Sequence, residues 1–280
     1  MKKILVPTDF SEYALNAAKL AASIAKEFDA RIYFLHVVSM PVYETGILPG
    51  QSRQDIAEGL FILKKVKMDF QNLIEQDFLK GVNVVTAVQY DGVYESIVSQ
   101  AKEHEIDLIV MGTHGSSGYV NDFFIGSNTD KIVRLSKTPV ITTREEVINP
   151  KFDKIVFASD FGDGVATSFR RVAEMAEKLN SKVELVRVIT RDDFYYSGPM
   201  LDAMEKFADE NGLSNYDCHV YAAESVQIGI NEFAQRTNAD MVTTVTHGRR
   251  GLARLFNGSV TSDIMKSSPL PVMTIRAHNK

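Results

Sequence analysis

The residues best suited to chemistry occur twice. Gly112-Thr-His-Gly115 is matched 133 residues later by Val245-Thr-His-Gly248, and a Gly-Ser pair follows each within a dozen residues, Gly126-Ser127 and Gly258-Ser259. Each copy follows an apolar, strand-like run, Asp107 to Met111 or Met241 to Val245, and each Gly-Ser opens a helical pattern, Asn128 to Leu135 or Val260 to Met265. A glycine-rich turn between a strand and a helix start presents backbone N–H groups and the positive end of a helix dipole to one point. The chemistry that suits such a turn is anion binding, most often of phosphate.

The elements that must position these residues repeat as well. Lys3-Ile-Leu-Val-Pro-Thr-Asp9-Phe10 resembles Lys154-Ile-Val-Phe-Ala-Ser-Asp160-Phe161, and Thr138-Pro-Val-Ile-Thr-Thr-Arg144 resembles Leu270-Pro-Val-Met-Thr-Ile-Arg276. Two copies of one domain, 1–148 and 149–280, are the simplest organisation, each of ordinary domain size. A chain of 280 residues with 45% hydrophobic residues can bury two cores.

Strand and helix periods alternate along each copy. Ile4 to Val6 reads as a buried strand, and the apolar stripe from Tyr13 onward as a helix with Ser11 as N-cap. Arg31 to Val38 is a second strand, 39–50 a loop, and Gln51 to Leu79 a long helix whose stripe of Ile56, Leu60, Leu63, Val66, Phe70 and Leu73 reads as core packing. Val82 to Val88, Asp107 to Met111 and Val140 to Thr143 complete five strands, with helices at Tyr94 to Glu103 and Asn128 to Leu135. The second copy repeats the order with a shorter second helix near Pro199 to Glu210. The expected class is α/β: two doubly wound, Rossmann-like domains with parallel five-stranded sheets of order 3-2-1-4-5. Connections then reverse between strands 1 and 4, and ligands bind beyond the carboxyl ends of strands at such a point. Asp9 and Asp160 mark the strand 1 ends, the Thr-His-Gly turns the strand 4 ends.

On these residues the chain resembles the universal stress protein family in its tandem form, over nearly its whole length. The family's loop after strand 4 runs Gly, two residues, Gly, nine residues, Gly and Ser or Thr. The resemblance implies binding of ATP or AMP, with or without Mg²⁺, in which the aspartate and strand-end backbone hold adenosine while glycines and hydroxyl hold ribose and phosphates. In the first copy that falls on Pro7, Thr8, Asp9, Val38, Met111, Gly112, Gly115, Gly126, Ser127 and Asn128. In the second it falls on Asp160, Gly248, Gly258 and Ser259, with Arg249 placed to meet phosphate. The copies depart from the pattern differently. The first has ten residues, 116–125, where nine are expected; the second has nine but Val245 in the place of the first glycine. A β-branched side chain blocks close backbone approach, so the first copy is expected to hold adenosine. Arg249, Arg250 and Arg254 favour phosphate or simply face water in the second, where the first has Asp122.

Plainer readings stand beside these. Asp9 and Asp160 can be helix caps, the glycines can serve turns alone, and His114 and His247 can shape the turn or hydrogen-bond ligand without acting as bases. Net charge −5 and a pI near 5.7 argue against nucleic acid as a partner. Pro7 and Asp9 come too early for a signal h-region and no apolar run reaches a membrane span, so the expected location is cytoplasmic. Cys218 is the only cysteine and reads as a packed strand residue. No Walker lysine, adenylating signature or carboxylate cluster for a metal appears. A regulatory nucleotide binder in the stress response is therefore favoured over a slow ATPase or nucleotidyl transferase, and over a scaffold with vestigial sites. Relatives with one domain pair through the last strand, so Val140 to Thr143 and Val272 to Ile275 are expected to pair within the chain as a pseudo-dimer, with a homodimer a further possibility.

Overall fold

The structure, a computed structural model, describes residues 1–38, 53–90, 92–114, 125–148, 150–162, 164–191, 199–246 and 258–277. In the first half the order is β1 (Lys3–Pro7), α1 (Glu12–Phe28), β2 (Arg31–Val37), α2 (Arg53–Ile74), β3 (Asn83–Gln89), α3 (Val93–Glu103), β4 (Leu108–Gly112), α4 (Ser127–Leu135) and β5 (Val140–Thr143). The second half has β6 (Lys154–Ala158), α5 (Val165–Leu179), β7 (Lys182–Ile189), α6 (Met200–Glu210), β8 (Tyr216–Ala222), α7 (Val226–Arg236), β9 (Met241–Thr246), α8 (Gly258–Ser267) and β10 (Val272–Arg276).

All ten strands form one sheet, ordered β3-β2-β1-β4-β5-β10-β9-β6-β7-β8. Each half thus keeps the order 3-2-1-4-5 with parallel neighbours, and the two five-stranded units fuse into a continuous sheet. The fusion is the antiparallel pair β5/β10, with Met273 opposite Ile141. Because that pair is antiparallel, the strands of the two halves run in opposite directions, and their carboxyl ends lie at opposite ends of the strands across the sheet.

Alternation along the strands feeds two cores. Ile4 and Val6, with Ile155 and Phe157, pack under α1, α2, α5 and α6, while Leu5, Val156 and Val186 pack under α3, α4, α7 and α8. The helix α1 lies close to the sheet because its buried face is mostly alanine. Ser11 caps it, accepting the Ala14 N–H at 3.3 Å, and Asp29 ends it in the left-handed conformation. The expected long second helix stops at Ile74, with a 3₁₀ turn at Asp77–Leu79. Its stripe is core only in part: Val66, Phe70 and Leu73 are buried, but Leu60 is 63% and Leu63 40% exposed.

The junction between halves has near-twofold pairs of bonds. The Thr142 hydroxyl donates to the Val272 carbonyl at 3.4 Å and the Thr274 hydroxyl to the Val140 carbonyl at 3.3 Å. Arg144 donates to the Lys266 carbonyl at the end of α8, and Arg276 to the Leu135 carbonyl at the end of α4. Each arginine therefore brings positive charge to the negative end of the other half's last helix. Ser262 on α8 also donates to Asp130 on α4 at 2.6 Å.

Candidate functional site

In the first half β1 and β4 are parallel neighbours, so the segments leaving them at Pro7 and Gly112 emerge together. The chain turns sharply after β1. Thr8 is buried and donates its N–H to the Leu35 carbonyl, and its hydroxyl accepts the Phe10 N–H at 3.0 Å. Asp9 accepts the Ser11 N–H at 3.1 Å. Phe10 takes φ 62°, a conformation that costs a bulky residue about 1–3 kcal/mol. Its ring packs on His36 at 4.9 Å and edge-on to Phe70 at 5.1 Å, and two such contacts at about 0.5–1.5 kcal/mol each offset that strain. His36 also bonds the Thr8 carbonyl through Nδ1 at 2.8 Å.

The second half repeats the turn. The Ser159 hydroxyl accepts the Phe161 N–H at 3.0 Å, Asp160 accepts the Gly162 N–H at 3.1 Å, and Phe161 has φ 56°. Asp160 is not the cap of the following helix, since α5 begins at Val165 with Gly164 as its N-cap. The residue matching His36 is Arg187, which donates to the Asp160 carbonyl at 3.2 Å. A strained left-handed phenylalanine kept in both copies fixes the aspartate at the strand end in the same turn twice.

The β4 side differs more. Gly112 closes β4, and a Cβ there would lie 2.8 Å from the Tyr13 carbonyl oxygen. Only glycine lets α1 come this near. Thr113 is buried, and its carbonyl accepts the Gly126 N–H at 2.9 Å, which brings the start of α4 to the end of β4. The Thr129 hydroxyl reinforces this with a 3.1 Å bond to the Gly112 carbonyl. His114 bonds Thr113 through Nδ1 at 2.9 Å and packs on Tyr13 at 5.0 Å. Gly126 is the N-cap of α4 without a side-chain cap bond, and a Cβ there would make only ordinary contacts, 3.5 Å at the nearest. Ser127 and Asn128 stand exposed on the first turn of α4, where backbone N–H groups lack intrahelical partners. Met111 is buried as the residue before Gly112, and Val38 follows β2, donating its N–H to the Gln89 carbonyl.

In the second half Val245 takes the place of Gly112 within β9 and is 1% exposed, a core residue. By the repeat, Tyr13 corresponds to Gly164, which has φ 84° and starts α5 two residues later than α1 begins. Gly258 and Ser259 open α8 by backbone. Gly115, His247, Gly248 and Arg249 lie outside the described residues, as do Asp122, Arg250 and Arg254. A space of about 220 Å³ opens beside Thr8, Phe10 and Leu73 on the α1/α2 face of the sheet, and a separate one of about 10 Å³, room for a water molecule, lies beside Ser159, Asp160 and Arg187 on the α7 face of the second half. A larger cleft of about 400 Å³ lies away from both turns, between Phe28, Pro139, Met175 and Met273.

Among the described residues one cluster offers metal-ligand atoms, Glu184, Asp217 and His219, within 4.8 Å of one another. Lys182 bonds Asp217 and lies 3.3 Å from Glu184, so its ammonium already supplies the cation these carboxylates need. That hydrogen bond holds the Asp217 carboxyl below its usual range and the Lys182 ammonium above its own. Cys218, between Asp217 and His219, points to the opposite face and packs on the other core. Burial, and then the nearby carboxylates, push its thiol up to about 11. Phe10, His36, Arg187 and Thr129 are site features that sequence reasoning missed. Phe10 and Thr129 left a signal in the repeat, recurring as Phe161 and Thr261.

Comparison with known proteins agrees with the duplication. The model of the universal stress protein family matches residues 1–144 and again 151–276. A universal stress protein of Methanocaldococcus jannaschii is 33% identical over 153 residues, 51% of this chain and 82% of that protein. One of Synechocystis is 21% identical over 296 residues, covering 99% of this chain and all of that protein. The crystal structure of a universal stress protein from Archaeoglobus fulgidus superposes with a TM-score of 0.71 at 19% identity, covering 99% of this chain and 97% of the other. The chain belongs to the universal stress protein family, in its tandem form with two such domains.

Proposed function

We propose that the protein is a cytoplasmic stress-response regulator that binds one adenine nucleotide, ATP or AMP, in the first half, and that its two domains divide at 148 and 149. Adenosine sits at the ends of β1 and β4 against Asp9, Pro7, Thr8 and Val38, with Met111, Gly112 and His114 beside it. The phosphates, with any Mg²⁺ they carry, lie toward Gly115, Gly126, Ser127 and Asn128. The observation that carries this reading is the meeting of two features at one strand-end crevice. The strained turn fixes Asp9, and the Gly126 N–H bond to Thr113 delivers an uncapped helix start beside β4. A helix start without a side-chain cap keeps its N–H groups available to an anion.

The second half keeps the Asp160 turn but carries a buried Val245 where the first has Gly112, and Arg187 donates to the Asp160 carbonyl. It is read as an altered site, with Asp160, His247, Gly248, Arg249, Gly258 and Ser259 retained from the duplication. Nucleotide released by denaturing freshly purified protein, identified by mass spectrometry, tests the reading. An adenine nucleotide near one per chain supports it, and chain that takes up none when soaked in ATP refutes it. Turnover of Mg-ATP at saturation distinguishes a regulator from an ATPase.

A further inference from the structure

The two outer edges of the sheet are unlike. Among the described residues, twelve large apolar side chains stand exposed, and nine of them lie on α2, on β3 or the residue after it, and on α3. Phe61 is 70% exposed and Leu60 63%, and Met68, Val85 and Val98 join them. The matching elements at the other edge, α6, β8 and α7, expose only Leu201 and Ile228. There the polar groups are tied down: Tyr216 donates to Asp209 at 2.7 Å, Tyr221 to Glu232 at 3.0 Å, and Lys182 pairs with Asp217.

The strand β3 itself reads Asn-Val-Val-Thr-Ala-Val-Gln, without charge or proline, and pairs with β2 residue for residue over all seven positions without a bulge. Proteins blunt terminal strands with charges, prolines or bulges, because an unblunted one is a template for another strand. The apolar stripe of α2 also continues the one that buries Val66, Phe70 and Leu73, then runs past the edge of the molecule through Leu63 and Leu60. A helix turn apolar on every side, Leu60-Phe61-Ile62-Leu63, is the pattern of a buried helix.

We propose that this edge is the self-association surface of the protein, covered by the same edge of a second copy about a twofold axis. The strand favours its own copy. Antiparallel pairing centred on Thr86 sets Val84 opposite Val88 and Val85 opposite Ala87, apolar against apolar with no like charges facing. The chain already joins two edges this way at β5/β10. The β8 edge, with Asp217 and His219 on it, is a poorer match, so the contact is isologous and closes at two chains instead of running on as a filament.

Sedimentation velocity on the full chain tests this. Wild type is expected to run as two chains of 31.2 kDa each, and so is Leu201→Lys at the opposite edge. Val85→Lys sets an ammonium opposite Ala87 of the second copy and diagonal to its own twofold mate, and Phe61→Glu puts a charge in the apolar flank. Each is expected to raise the dissociation constant by about 100-fold or more, with unchanged circular dichroism, since repulsion in a desolvated contact is strong. A monomeric wild type would overturn the proposal. So would a dimer that survives both Val85→Lys and Phe61→Glu, or one lost in Leu201→Lys instead.

Discussion

The two strand-end crevices descend from one design and differ in where the glycine sits. In the first half it is on the strand, Gly112, and the α1 backbone at Tyr13 presses against it. In the second the strand carries Val245 and the helix entry carries Gly164, whose left-handed φ delays α5 by two residues. Space has been moved from one partner to the other. The missing motif glycine at position 245 is thus a repacked junction, with Val245 buried in the core on the α5 side of the sheet. The turn that fixes the aspartate has not moved at all: Phe10 and Phe161 hold the same strained backbone, with φ 62° and 56°.

The comparison breaks most visibly at those glycines. Gly112→Val forces a side chain into the Tyr13 backbone and is expected to destabilise the protein by about 3 kcal/mol or more in urea denaturation, at the upper end of overpacking costs. Val245→Gly empties a buried position and is expected to cost about 2–3 kcal/mol, the range for deleting a core side chain. A neutral Gly112→Val would show that α1 can withdraw from β4 freely.

The aspartates sharpen the contrast in binding. If Asp9 accepts hydrogen bonds from adenosine, Asp9→Ala weakens ATP binding by about 1.5–3 kcal/mol, the worth of a bond to a charged group. Asp160→Ala leaves it nearly unchanged. Equal losses from the two would make the halves equivalent. The junction, by contrast, is expected to be symmetric. Arg144→Ala and Arg276→Ala each remove one charged bond to a helix-end carbonyl and should each cost about 1–2 kcal/mol of stability, equal within error. Cys218 gives the smallest effect. With its thiol pushed up to about 11, it stays protonated through neutral pH, so labelling by a thiol reagent at pH 7–8 is slow and accelerates as pH approaches that value.

The repeat made the strand order, the β5/β10 junction and the ends of β1 and β4 legible, because a duplicated β-α alternation admits few topologies. Periodicity misled at α2. It reports that Leu60 and Leu63 share a stripe with Phe70 but not whether a partner lies beneath them, and none among the described residues buries them. The reason for Gly112 was invisible because the helix that touches it begins a hundred residues earlier. Phe10 gave no sign of its left-handed backbone, since phenylalanine ordinarily avoids that region. Arg187 was equally silent, because a side chain reaching from β7 to the carbonyl after β6 depends on register alone.

Isothermal titration of ATP into the full-length chain tests the central claim most directly, run on wild type, Asp9→Ala and Asp160→Ala. The account predicts about one site per chain, lost or weakened at least tenfold by Asp9→Ala and retained in Asp160→Ala, tenfold corresponding to about 1.4 kcal/mol. Two equal sites, or a single site abolished by Asp160→Ala and untouched by Asp9→Ala, would contradict it.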